Sequence, residues 1–289
     1  PSNFVYCYLI KSNLKQPSPM LKDVTFFRIA IQLLLFASLA SCSKKTIIFE
    51  TQSANHSISI DRNEYYVFEN DSLRMVYTFW ANRGSMAFSI YNKLEVPLYI
   101  NWKRSSLILN AQKTDYWADE TVVSFKKATK KTETVDFYDF NSPLYQLMSL
   151  TSSTTSASYI QQNSIKPEKV TFIAPKSYIF KEKDGLTSIK LPSNDFGWRK
   201  EKFDPKSGKK IKGESVSFAE NSTPIVFRNF LSISTNEEFT RESYIDHTFY
   251  VNKVIRVKSK SAWSTYYDKS LKRTLTVNIF YRPISFYQE

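Results

Sequence analysis

SLRMVYTFWANRGSMAFSIY, residues 72–91, is the stretch whose pattern decides the fold. From Ser72 to Trp80 it alternates, with Leu73, Met75, Tyr77 and Phe79 on one face and Arg74, Val76 and Thr78 on the other. Ser85 to Tyr91 does likewise, setting Met86, Phe88 and Ile90 against Ala87, Ser89 and Tyr91. A period of two is the pattern of a strand with one buried face. The intervening Ala81-Asn82-Arg83-Gly84 has turn chemistry, so the two runs predict a β-hairpin.

Working outward, the same reading recurs. A turn over Asn92 to Pro97 leads to strand-like Leu98 to Trp102 and Ser106 to Leu109. Further candidates are Lys169 to Ala174, Ser177 to Lys181, Pro224 to Ser232, Thr248 to Val257 and Arg273 to Tyr281. Aromatic residues make up 16% of the chain, mixed with Thr, Ser and Ile, the composition that suits pleated, half-buried surfaces. No long helical periodicity follows residue 42. These features predict an all-β chain, an immunoglobulin-like β-sandwich with long loop excursions. The Cys-Trp-Cys spacing of antibody domains is absent, so the expectation concerns architecture alone.

Two stretches read as excursions. Ser149 to Ser158 is almost entirely Ser and Thr, and a subdivision of the sandwich is placed near 149–166 if there is one. Asp184 to Asn221 holds four of the five glycines and many lysines. Its run Lys206-Ser207-Gly208-Lys209-Lys210 lacks phosphate-loop spacing and reads as solvated loop.

The N-terminal part has a different character. Met20 is followed by Lys22 and Arg28, then by 12 mostly apolar residues from Ile29 to Ala40 interrupted by Gln32. A positive start, a short apolar core and small residues before Cys42 make a secretory signal. Spanning a bilayer takes about 20 residues, so this helix is too short to do so. Residues 1–19 read as an upstream extension that is not translated, 20–41 as the signal-peptide helix, 42–54 as a tether and 55–289 as the sandwich.

Leu39-Ala40-Ser41-Cys42 resembles the bacterial lipobox. The resemblance implies cleavage between Ser41 and Cys42, lipidation of the Cys42 thiol and anchoring by acyl chains. Ser43 in place of Asp resembles lipoproteins sorted to the outer membrane. Ser43-Lys44-Lys45 departs from the acidic run of surface-exported ones, which favours the periplasmic face over the cell surface. In the body, Phe88 to Leu94, Pro97 to Trp102 and Phe172 to Ser177 resemble uncharacterised lipoproteins of Bacteroidota. That resemblance implies a fold and an address, with no activity.

Cys7 and Cys42 are the two cysteines, so nothing from Ser43 onward forms a disulfide or a thiolate metal site. The net charge is +13, of which +10 lies beyond residue 41. Such a surplus attracts anionic phospholipid, lipopolysaccharide or acidic glycans, and export sets nucleic acid aside.

Catalytic signals are thin. His56 lies near the expected tether. Asp246 and His247 adjoin on a predicted strand and therefore point to opposite faces, which is no acid–base pair. Asp136 and Asp139, or Asp115, Asp119 and Glu120, are carboxylate clusters without a hydrolase pattern, and the second lacks the glycine of a Ca²⁺ loop. Trp117, and Trp198 beside Arg199, are the candidate ligand contacts, because Trp near a cation stacks on sugar rings. No catalytic residue, metal or cofactor is assigned. The chain thus reads as a lipid-anchored, non-enzymatic binding module for envelope proteins or anionic glycans. A glycan-acting hydrolase and a structural envelope component are the alternatives.

Overall fold

The quoted stretch forms two paired strands in the computed structural model; strands are numbered β1–β19 in chain order. β4 (Leu73–Thr78) and β5 (Ser85–Asn92) run antiparallel, with Tyr77 opposite Phe88 and Met75 opposite Ile90. At the turn, Arg83 and Gly84 adopt φ of 69° and 73°, and the Gly84 N–H donates to Ala81 O at 3.1 Å. Only one face of this hairpin was expected to be buried, yet both are. Leu73, Met75 and Tyr77 enter the main core, while Val76 joins Tyr65, Val67 and Phe180 behind the sheet.

The described residues are 44–118, 122–124, 163–165, 168–186, 197–205, 210–268 and 272–289, and Lys44–Glu289 is one compact unit. The expected signal segment with its expected cleavage site at Ser41 and Cys42, the Ser/Thr run 149–158, and Asp119, Glu120, Asp136 and Asp139 lie outside them. Among the described residues no helix is long and apolar enough to cross a membrane.

The chain is all-β, and two antiparallel sheets face each other across a shared core. The smaller has five strands in the order β12 (Tyr178–Asp184), β5, β4, β3 (Tyr66–Glu69), β2 (Ile58–Ile60). The larger has ten. Its main path is β11 (Val170–Ile173), β6 (Leu98–Asn101), β15 (Val226–Ser234), β16 (Glu242–Lys258), β1 (Lys45–Ser53) and β19 (Ser285–Gln288). The remaining four are β7 (Ser106–Leu109) on β15, β8 (Gln112–Asp115) on β7, β14 (Ile211–Ser217) on β16 and β13 (Arg199–Phe203) on β14. β17 (Trp263–Asp268) and β18 (Arg273–Asn278) form a separate hairpin, and β9 (Val122–Ser124) pairs with β10 (Asn163–Ile165). Ten and five strands differ from the seven or nine of immunoglobulin domains.

Two expectations are corrected. Lys45–Ser53 is not tether but a strand inside the large sheet, bonded to β16 on one side and β19 on the other. Its short apolar run is buried on both faces, Phe49 in the main core and Ile48 in a second cluster with Ile211, Ile255 and Val257. The lysine-rich stretch 184–221 is not all loop, because its described part contains the hairpin β13–β14. Pairing with β16 and burial of Ile211 outweigh its weak local strand pattern.

Aromatic rings in edge-to-face and stacked contact fill the space between the sheets. Phe79 lies 4.9 Å from Phe249 and 5.0 Å from Phe227, and Phe49 stacks on Phe286 at 4.7 Å. Truncating one such ring costs about 3–5 kcal/mol.

Gly84 is the position the turn cannot change. A Cβ there would meet Leu186 Cβ at 2.8 Å and Phe286 Cγ at 3.0 Å, on a backbone with positive φ. Gly84→Ala is expected to lower stability by about 2 kcal/mol. Urea unfolding measures this, and an unchanged midpoint would contradict the packing described.

Candidate functional site

The long strand β16 sets side chains alternately into and away from the core, and its two sides carry different chemistry. Inward, His247 is buried against the rings of Phe68 and Tyr77, with centroids at 4.5 and 5.7 Å. Outward, Asp246 is exposed and paired with Arg228 Nη2 at 2.5 Å. The opposition read from their adjacency is thus realised.

His247 ends a buried chain of hydrogen bonds. The Tyr116 hydroxyl donates to Asn229 Oδ1 at 2.8 Å, and Asn229 Nδ2 donates to the Tyr77 hydroxyl oxygen at 3.1 Å. That hydroxyl lies 2.7 Å from His247 Nδ1. Imidazole is a stronger acceptor than the Met75 sulfur 3.8 Å away, so Tyr77 donates to Nδ1 and the imidazole proton sits on Nε2. Burial lowers the His247 pKa to about 4, despite the opposing charge of Asp246, and keeps the ring neutral near neutral pH. Burial also raises the tyrosine hydroxyls of Tyr77 and Tyr116. A neutral, mutually satisfied network in a packed core holds the sheets in register; it offers no nucleophile.

The tryptophans expected to meet ligand are packed on the core's edge. Trp198 touches the main core, and the Arg256 guanidinium lies 4.2 Å above its ring while also binding Glu214. Trp117 packs on the same core, with the Lys169 ammonium at 5.3 Å and that of Lys103 at 6.0 Å. Each indole therefore already has this chain's own cation over it. Arg199 is exposed on β13, opposite Ser215, and is separate from the Trp117 group.

Carboxylates likewise serve the fold. Asp115 pairs with Lys113 at 2.7 Å, and among the described residues no three ligating groups cluster as a metal site. A polar cleft of 430 Å³ is lined by Glu50, His56, Tyr66 and Arg282. Arg282 in that lining lies 3.6 Å from Glu50 and 3.5 Å from Glu64, bridging the two carboxylates. His56, given no role from the sequence, is part of that lining.

Sequence reasoning missed a second group of aromatics. On the outer face of the large sheet Phe172 stands opposite Tyr99, their rings 5.7 Å apart. Further along, Phe230 stacks on Tyr244 at 5.4 Å. Phe172 and Tyr244 are each 54% exposed, among the most exposed large apolar side chains described. Ion pairs flank them, Arg228 with Asp246 and Arg104 with Glu242 at 2.7 Å. β-Alternation placed Tyr99 and Phe172 away from the core; only the pairing of β6 with β11 brings them together.

No family model matches the chain, and neither a curated protein nor a solved structure matches it.

The buried imidazole gives stability a pH dependence. Its unfolded pKa is about 6.5 and its folded pKa about 4, so the unfolded chain binds more protons between those values. Stability is complete above pH about 6.5 and falls by about 3 kcal/mol as pH drops to about 4. Unfolding titrations across this window are expected to show that slope in the wild type and to lose most of it in His247→Gln. An identical slope in both would remove His247 from the account.

Proposed function

We propose that the chain is a lipid-anchored envelope protein whose β-sandwich is a non-enzymatic binding module. The signal pattern ending in Ser41 and Cys42 supports the anchor, and the outer membrane, periplasmic face, is the address that follows from Ser43-Lys44. One structural observation supports the binding role above others. The exposed pairs Tyr99–Phe172 and Phe230–Tyr244 share a sheet face with Arg228–Asp246 and Arg104–Glu242. Flat rings beside charged hydrogen-bonding groups are what a sugar ring requires, with apolar C–H faces on the aromatics and hydroxyls on the ion pairs. The ligand class favoured is a polysaccharide of the envelope.

Two measurements check this reading. Intact mass of the membrane-extracted protein is expected to show a mature chain beginning at lipidated Cys42, and Cys42→Ala to leave the membrane fraction. An unmodified chain retaining residues 20–41 would refute the anchor. Phe172→Ala/Tyr244→Ala is expected to reduce retention on purified envelope polysaccharide by on the order of tenfold while leaving the fold intact. Undiminished retention would remove the aromatic face from the binding role.

A further inference from the structure

At the opposite end of the large sheet, four neighbouring strands each contribute one lysine to a row. Lys202 on β13 stands opposite Lys212 on β14, and Lys45 on β1 opposite Lys258 on β16. The pair Gly213–Val257 brings Lys212 and Lys258 alongside each other. Cross-strand partners share a face, so the four ammoniums form a line about 14 Å wide at roughly 4.8 Å per strand. All four lysines are exposed. Like charges directly opposite destabilise a sheet, so this arrangement works against folding unless an anion lies over it.

The surroundings extend the positive surface. Lys210 and Lys260 line a cleft of 660 Å³ together with Lys212, Lys258 and Trp263. Nearby acids are engaged within the chain: Glu214 binds Arg256 at 2.6 Å, and Glu289 accepts from Trp263 Nε1 at 2.9 Å. The polypeptide also enters the sandwich here. Lys44 accepts from the Ser259 N–H through its carbonyl at 2.9 Å, then leads into Lys45. Cys42 is two residues earlier, within about 7 Å of extended chain.

We infer that this end of the sandwich docks on a bilayer bearing anionic phosphate headgroups. Its orientation beside the anchor rests on the reading of Cys42 as lipid-bearing, whereas its affinity for anionic bilayers rests on the lysines alone. An open line of exposed ammoniums matches a charged plane better than it matches a small enclosed anion. A polybasic patch beside the acyl chains adds electrostatic attraction to anionic lipid and fixes which face of the sandwich meets the bilayer. Apposition to the membrane would leave the aromatic pairs, carried by the other half of the same sheet, turned toward envelope polymers.

The test uses the full chain with Cys42→Ser throughout, so that no acyl group contributes. Co-sedimentation is measured with phosphatidylcholine vesicles and with vesicles that also contain phosphatidylglycerol. The readout is the excess binding to the anionic vesicles. We expect that excess in the parent chain, weakening as salt rises. Lys45→Gln/Lys202→Gln/Lys212→Gln/Lys258→Gln should cut it by on the order of fivefold per lysine removed. Lys103→Gln/Lys113→Gln/Lys169→Gln/Lys176→Gln changes net charge equally, outside the row, and should leave most of the excess. Equal binding to both vesicle types, or equal loss in the two quadruple variants, would overturn the inference. Intact mass at Cys42 reads the anchor separately, so either conclusion can fail alone.

Discussion

Everything in the larger sheet depends on β16 being hydrogen-bonded along both edges. Of its 17 residues, Phe249 to Lys258 meet β1 on one side, while β15 followed by β14 runs along the other. A shift of one residue in this strand would exchange its buried and exposed sides. Ile245, His247, Phe249, Val251 and Val254 would then leave the aromatic core. The register break between Glu50 and Thr51 on β1 is accommodated opposite Val251 and Lys253, where the strand passes from one partner set to the next. β16 therefore links the aromatic face, through Tyr244 and Asp246, to the basic end at Lys258.

The buried network explains how that register is enforced. Alternation forbids a slip of one residue, but a slip of two keeps apolar side chains facing the core. Asn229, Tyr77 and His247 satisfy one another only when β15, β4 and β16 are correctly placed. Breaking the set leaves buried polar groups unpaired, which costs about 1–3 kcal/mol for each. Asn229, Tyr77 and His247 are thereby committed to holding two sheets face to face.

The legible parts of the sequence were those whose signal is local. Residues 72–91 announced a hairpin because alternation and turn chemistry lie within one short window. Thr46 to Phe49 shows no strand signal of its own, because the three apolar residues Ile47 to Phe49 have no room to display a period and the partners Val254 to Val257 are far away in the chain. β13 carries Arg199, Lys200, Glu201 and Lys202, an exposed edge whose strand character comes from β14 alone. Trp198 looked available beside Arg199, yet the cation that covers it is Arg256 on another strand. Lysines at 45, 202, 212 and 258 form a row only through register, which no local pattern encodes.

β16 is one continuous strand uniting the two halves of the sheet, flanked by β15 and β14 along one edge and by β1 from Phe249 to Lys258 along the other. Native-state hydrogen exchange tests it most directly. Amides from Ile245 to Val257 should be the slowest in the chain and should open together, in a single step shared with β1 and β15. Separate opening of the β15-paired and β14-paired halves, with different free energies, would contradict it and make the two surfaces independent units.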